Sequence, residues 1–311
     1  MKHDIVTITL NPSIDVTLWV DGLDSDKANR VQRELRQAGG KGVNVARVTG
    51  EFGLHTRCVV VAGQDNAAEL QNYLDSEQLI CEMLRVDGAV RENLTLRHGT
   101  ETVKINRQGP TLYSKMGAVL PAWIAERIRP DSVVVFAGSM PNGLTVGQYA
   151  DMMLAANNAG ALVAVDTTAL KLRDYARVSP WLIKPNIHEL AELADAPCDT
   201  PEQTLATARM VREQTGIAHV LVSLGSEGLL YCGEGGEYRV KSPQVEVKST
   251  VGAGDSLLAG FIVGYCKGLA FEDILRKAVA CGSDCVRHDG TELATHQTIQ
   301  ELLPLVTVTP V

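Results

Sequence analysis

Two glycine-rich segments carry the residues best suited to chemistry. Ser249-Thr250-Val251-Gly252-Ala253-Gly254-Asp255-Ser256 follows a strand-like Val245-Glu246-Val247 and opens an apolar helix ending near Gly268. Glycines at a helix start let a ligand approach the backbone, and the unpaired amides there favour anions. Amides of Gly252, Ala253 and Gly254 would stabilise charge on a transferring phosphoryl group. Asp255 could orient an attacking hydroxyl and accept its proton. The plainer alternative makes Asp255 a carboxylate that complements the helix dipole, and that dipole is expected to keep it ionised with ordinary basicity. The other segment, Ala38-Gly39-Gly40-Lys41-Gly42-Val43-Asn44-Val45-Ala46, opens a helix that runs to Gly53. Lys41 adds a positive charge there and Asn44 a two-sided hydrogen-bonder, although glycines also serve turn geometry alone. A dinucleotide fingerprint would need glycine at 257, where Leu257 stands, and no G-x-x-x-x-G-K-[ST] loop occurs.

Further polar residues close strand-like runs. Asp166 follows Leu162–Val165, Asn186 and Glu189 follow Leu182-Ile183-Lys184-Pro185, and Ser223-Leu224-Gly225 ends another run. Ligands of open α/β sheets sit beyond the carboxyl ends of strands, so these residues would face one crevice. An Asn-x-x-Glu pair suits a hydrated Mg²⁺ and nearby phosphates. The Ser-Leu-Gly turn could meet a nucleotide phosphate. Each alone reads as a turn or cap; their shared placement suggests a site.

The elements that must position these groups alternate between strand and helix. Ile5–Leu10, Arg57–Ala62, Ser132–Ala137, Ala161–Val165, Trp181–Lys184 and His219–Ser223 are short apolar runs rich in valine and isoleucine. Continuous apolarity marks strands of a parallel sheet covered on both faces. Thr145 with Gln148 forms a capping box and Gly160 stops that helix; Thr200-Pro201-Glu202-Gln203 and Gly216 repeat the device. Phe271, Ile274, Leu275, Ala278 and Val279 make the buried stripe of another helix. The expected fold is α/β, a doubly wound, mainly parallel sheet flanked by helices. Four strands lack helices: Ile14–Val20, Ala28–Arg36, Asn93–His98 and, after a turn at Gly99, Thr102–Asn106. They predict a small separate sheet from two excursions, about 12–37 and 88–110, that forms a lid over a cleft. A β-extension serving a dimer contact is the other reading and is compatible with the first.

Composition narrows the partners. The 311 residues are 45% hydrophobic and 21% charged, an ordinary globular balance that rules out disorder. At roughly 150 residues per domain the length fits about two domains or equally one large α/β domain, and a single domain over 1–311 is expected. With 29 basic and 37 acidic residues the net charge is −8, which disfavours nucleic acid and anionic membranes. The longest apolar stretch, Leu257 to Cys266, is half the roughly 20 residues of a membrane span. Seven cysteines are an odd number without any C-x-x-C pair, and read as small buried side chains in a reducing compartment. Met1-Lys2-His3-Asp4 runs directly into a strand, so a cytoplasmic protein without a signal peptide is expected.

Together these marks resemble the PfkB (ribokinase-like) family of sugar kinases over almost the whole chain. They are Thr9-Leu10-Asn11-Pro12-Ser13-Ile14-Asp15, Gly39-Gly40-Lys41-Gly42-x-Asn44-x-Ala46, Lys184-Pro185-Asn186-x-x-Glu189, Ser223-Leu224-Gly225 and Ser249 to Asp255. The resemblance implies an α/β domain with a β lid, often dimeric through it, and phosphoryl transfer from ATP that requires Mg²⁺. Asp255 would be the catalytic base, with Gly252, Ala253 and Gly254 as the anion hole. ATP would meet Lys184, Asn186, Ser223, Gly225 and Thr250, and Asn186 with Glu189 would hold Mg²⁺ through water. On the sugar side it implies Asp15, Arg30, Gly39, Gly40, Lys41, Asn44, Arg91, Lys104 and Ser139.

The opening motif, Asn29-Arg30-Val31, Arg91-Glu92-Asn93 and Asn106-x-x-Gly109-Pro110 look like the hexose-phosphate kinase branch of the family. The implied substrate is therefore a ketohexose phosphate, fructose 1-phosphate foremost. Tagatose 6-phosphate, fructose 6-phosphate or an unphosphorylated sugar are the alternatives; a non-catalytic sugar-phosphate sensor would have lost the acid at 255. A second phosphate demands extra cation, which Lys27, Arg30, Arg91, Lys104 and Arg107 could supply from the lid. The segment 11–42 nevertheless holds five basic and five acidic residues and is no basic patch. Two positions depart from the family pattern. Ala137-Gly138-Ser139-Met140-Pro141 replaces S-G-S-L-P, and Ala169 replaces a glycine, a change that could alter the substrate pocket.

Overall fold

The structure is a computed structural model and describes residues 3–99, 101–288 and 292–311, so Met1 and Lys2 of the expected strand approach lie outside the described residues. In chain order the strands are β1 (Ile5–Thr9), β2 (Ser13–Val20), β3 (Val31–Gly39), β4 (Thr56–Gly63), β5 (Ile80–Val86), β6 (Arg91–His98) and β7 (Glu101–Asn106). They continue as β8 (Val133–Ala137), β9 (Leu162–Asp166), β10 (Leu182–Ile183), β11 (His219–Ser223), β12 (Leu229–Gly233), β13 (Gly236–Lys241) and β14 (Thr307–Pro310). The helices are α1 (Lys41–Glu51), α2 (Ala67–Ser76), α3 (Ser114–Ala125), α4 (Val146–Asn158), α5 (Leu172–Val178), α6 (Ile187–Ala194), α7 (Pro201–Thr215), α8 (Ala253–Cys266) and α9 (Phe271–Cys285).

Ten strands form one sheet in the order β14-β13-β12-β11-β10-β9-β8-β1-β4-β5. Pairing is parallel from β11 to β5. Strands such as β1 and β8 are buried at every residue, as continuous apolar runs between two helical layers must be. Leu120, Tyr149, Met152, Tyr175, Leu190 and Val211 of α3 to α7 pack one face, and Val45, Val48, Phe261 and Leu275 of α1, α8 and α9 pack the other. The helix ends follow the expected chemistry. Thr145 and Gln148 close a capping box at α4, Thr200 and Gln203 another at α7, and Gly216 ends α7 at a φ of 73°.

Four strands make a second sheet, β3-β2-β6-β7, and include both expected excursions. Its apolar side carries Ile14, Val16 and Leu18 of β2 and Leu94 of β6 against Val43, Val60 and Leu70 of the main body. The other side is polar. Alternation along paired strands gives Asp15, Asn93, Arg91, Lys104 and Asn106 a common face.

The structure departs from the sequence expectation at three places. Val245-Glu246-Val247 is no strand; it belongs to an irregular stretch between β13 and α8. The sheet has an antiparallel edge, β12-β13-β14, that apolar continuity did not predict. The two-residue Glu234-Gly235 loop joining β12 and β13 was its local signal. Finally, β5 joins the opposite edge, and its half-buried pattern is why a search for fully apolar runs missed it.

Candidate active site

Two glycine-opened helices meet at their N-termini. At α8, Gly252 caps the helix with a φ of 80°, a left-handed conformation that suits glycine, and Ala253, Gly254 and Asp255 form the first turn. At α1, Gly40 caps with a φ of 125°, followed by Lys41 and, within the first turn, Asn44. Asn44 Nδ2 donates to Asp255 Oδ2 at 2.8 Å, so the two signatures form one constellation. Both side chains are buried.

Asp166, at the end of β9, organises the charges around it. Lys41 Nζ lies 3.0 Å from its Oδ1 and Lys184 Nζ 3.4 Å from its Oδ2. Burial pushes the Asp166 carboxyl up, but Lys184 and Lys41 overcome that and hold it below the usual carboxylate range. Burial also opposes the Lys41 ammonium, yet Asp166, Asp255 and Glu189 keep its pKa above the ordinary lysine value. Asp255 goes the other way. Burial, then the charge of Asp166, raises it to about 6 against the opposing pull of Asn44, Lys41 and Lys184. The helix N-terminus therefore does not hold it at ordinary basicity, because desolvation outweighs the favourable contacts. It remains mostly ionised at neutral pH and is a stronger base than an exposed aspartate.

The polar face of the small sheet supplies a third wall. Asp15 accepts from Ser13 Oγ at 2.8 Å and from Asn93 Nδ2 at 3.0 Å. A Cβ on Gly39 would stand 2.3 Å from Asp15 Oδ2, so the backbone passes directly over this carboxylate. Arg91 is partly buried nearby; burial lowers its guanidinium pKa against the favourable charge of Asp15. Ser139 Oγ accepts from Asn11 Nδ2 at 3.0 Å, while Asn11 Oδ1, Asn93 Oδ1 and Arg91 Nε are buried without hydrogen-bond partners among the described residues. Groups in that state favour a polar ligand.

Of the five candidate lid cations, Arg91 lies within electrostatic reach of Asp15. Lys104 shares its face from an exposed edge strand. Lys27 and Arg30 lie in the exposed loop between β2 and β3, where Lys27 meets Asp24 at 3.4 Å. Arg107 is held by Glu92 at 2.8 Å. Ala169 is partly buried and packs against the hydrophobic core.

Beyond α8 opens a pocket of about 480 Å³ lined by Ser223, Gly225, Thr250, Ala253 and Gly254 together with apolar Val245, Val247, Leu257, Val279 and Val286. Apolar walls with a few polar groups at one end suit a purine base that leads to phosphates. Lys184 is buried beside the start of α8, and a Cβ on Gly254 would stand 3.1 Å from its Nζ. Asn186 and Glu189 form the capping box of α6: Asn186 Oδ1 accepts from Glu189 N and Glu189 Oε2 from Asn186 N, both at 2.9 Å. Glu189 also lines a cleft with Asp166, Thr167 and Lys184. No trio of His, Cys, Asp or Glu able to hold a metal occurs among the described residues. That donor set fits Mg²⁺, which keeps its waters and uses few protein oxygens beside substrate phosphates.

Sequence reasoning missed the centrality of Asp166, the contact of Asn93 with Asp15, and the apolar half of the pocket. Asp166 carried a signal as the acid that ends an apolar strand. The other two carried none, because they depend on register and on an irregular segment.

Comparison with known proteins gives the family. A family model described as pfkB family carbohydrate kinase matches residues 2–298. The chain is 32% identical over 306 residues to 1-phosphofructokinase of Bacillus subtilis (strain 168), covering 98% of this chain and 99% of that protein. It is 31% identical over 280 residues to tagatose-6-phosphate kinase of Staphylococcus epidermidis, with 89% and 90% covered. Phosphofructokinase-2 from Escherichia coli in complex with fructose-6-phosphate superposes with a TM-score of 0.89 at 25% identity over 98% of this chain and 99% of that one.

Proposed function

Since the chain belongs to the pfkB family of carbohydrate kinases and is a sugar kinase, we propose that it moves the γ-phosphoryl group of ATP to a ketohexose phosphate, fructose 1-phosphate foremost, giving fructose 1,6-bisphosphate and ADP. The observation that carries this reading is the Asn44–Asp255 contact of 2.8 Å, made where a nucleotide-sized pocket and a polar wall converge. In this reading Asp15 and Asn44 hold sugar hydroxyls, with Gly39, Gly40, Lys41 and Ser139 around them. Arg91, helped by Lys104, takes the substrate phosphate. Asp255 accepts the proton of the attacking hydroxyl, and the new O–P bond forms as the bond to ADP breaks. First-turn amides of Gly252, Ala253 and Gly254 receive the charge of the transferring group. Lys184, Ser223, Gly225 and Thr250 serve ATP. Asn186 and Glu189 would hold Mg²⁺ through water, and the ion when bound would neutralise phosphate charge.

Tagatose 6-phosphate and fructose 6-phosphate form the second reading, supported by the names of the Staphylococcus relative and the Escherichia neighbour. A coupled ADP-release assay over fructose 1-phosphate, fructose 6-phosphate, tagatose 6-phosphate, fructose and ribose tests both. The highest kcat/KM is expected for fructose 1-phosphate. Faster turnover of plain fructose than of any hexose phosphate would overturn the substrate assignment.

The small sheet is read as a lid over the cleft and as a dimer contact. Val103 and Ile105 stand 43% and 46% exposed on the side opposite Lys104, an apolar edge that a second copy would cover. A cytoplasmic homodimer is the state that accompanies this function.

A further inference from the structure

We propose that Arg47, clamped by Glu77, is a positioning residue that fixes the side-chain amide of Asn44 so that its NH₂ group faces Asp255. The inference rests on the reading of Asp255 as base given above. Arg47 stands on α1 one turn beyond Asn44 and is only 12% exposed. Its Nη1 donates to Asn44 Oδ1 at 3.0 Å, and its Nη2 to the carbonyl of Ala38 at 2.6 Å. Its Nε and Nη2 also grip the two carboxylate oxygens of Glu77, the residue that ends α2.

A guanidinium has donors and no acceptor, so the amide atom it meets must be the oxygen. The NH₂ end is then left for Asp255, 2.8 Å away. Without the fork, the amide could turn over and set its oxygen against the carboxylate. That arrangement repels an ionised Asp255 and suits only the protonated acid. The fork thus favours the form of Asp255 able to take a proton. The other groups facing Asp255 are Asp166 from the end of β9, Lys41 from α1, Lys184 beyond β10, and Cys285 on α9. Burial pushes the Cys285 thiol up to about 11, so it is neutral throughout the useful pH range.

The test is the pH profile of kcat/KM for the sugar phosphate at saturating ATP, with Asp255→Asn identifying the acid limb. Arg47→Met should move that limb up by about one pH unit and lower kcat about tenfold, with KM for ATP unchanged. Arg47→Lys should fall between, because an ammonium cannot hold Glu77 and Asn44 together. Glu77→Gln decides between geometry and charge. Loss of a negative charge alone would move the limb down, whereas a loosened fork moves it up. A downward or unmoved limb in Glu77→Gln, or a lower melting temperature with an unmoved limb in Arg47→Met, would overturn the proposal. Should Arg47→Met not fold, Glu77→Gln and Arg47→Lys carry the test. The side-chain amide signals of Asn44 give a readout free of turnover. By ¹⁵N NMR they should titrate with Asp255, and their midpoint should rise in Glu77→Gln. Full kcat in Asp255→Asn would remove Asp255 as base, while this titration would still decide the role of Arg47.

Discussion

Asp255 concentrates the chemistry at the residue scale, and its environment makes two measurements run in opposite directions. Asp255→Asn should lower kcat by about 10²–10⁴, since general-base assistance is lost, with both KM values nearly unchanged. The same change should stabilise the fold at pH 8. The folded pKa of about 6 lies above the unfolded value near 3.8, so an ionised Asp255 costs stability above pH 6. That cost is on the order of 2–3 kcal/mol, shrinks as pH falls through 6, and is gone only below about 3.8, where both states hold the proton. Thermal melts of both proteins should therefore diverge at pH 8 and converge below that lower pH; a constant gap would mean another cause. Arg91→Ala should raise KM for the sugar phosphate about 10- to 100-fold and leave KM for ATP alone, as loss of a charge-assisted contact requires. The types and spacing of Asp255, Asn44 and Lys41 were legible, because a helix that opens on glycines advertises its free amides. The basicity of Asp255 was not, because it depends on burial and on Asp166, which arrives from another strand.

At the scale of elements, each helix N-terminus makes a different demand on its glycines. Gly254→Val would push side-chain bulk toward Lys184 Nζ, 3.1 Å from the first added carbon, so kcat should fall and KM for ATP rise. Gly39→Ala would instead drive a methyl into Asp15, which Ser13 and Asn93 hold in place. It should raise KM for the sugar phosphate and spare that for ATP; equal effects on both substrates would contradict the division of the cleft. The start of α6 separates structure from metal binding. Glu189→Gln keeps a capping-box residue, so the melting temperature should hold. It loses the carboxylate charge, so a Mg²⁺ titration of activity should shift to higher concentration. An unchanged Mg²⁺ requirement would leave Glu189 as a cap alone. Helix ends were legible at α4 and α7 because capping is local chemistry. The irregular stretch through Val245 and Val247 was misread as a strand because alternating apolar residues also serve to line a pocket.

The whole molecule is a ten-stranded sheet that presents helix starts and strand ends to a cleft, with a four-stranded sheet set beside it. If the exposed edge at Val103 and Ile105 is the contact between copies, Ile105→Asp should yield monomers by size exclusion with light scattering. A dimer that survives this change would place the contact elsewhere. Motif positions, the covered parallel strands and the two excursions could be read from the sequence alone, since each expresses a local rule of backbone freedom, capping or periodic burial. The strand-to-strand register that sets Asn93 against Asp15 could not, nor the packing that sets Asp166 between Lys41 and Lys184, nor the fork from Arg47 through Asn44 to Asp255. Those contacts join residues far apart in the chain. Their distances, and the desolvation that tunes them, exist only once the sheet has twisted and the helices have packed upon it.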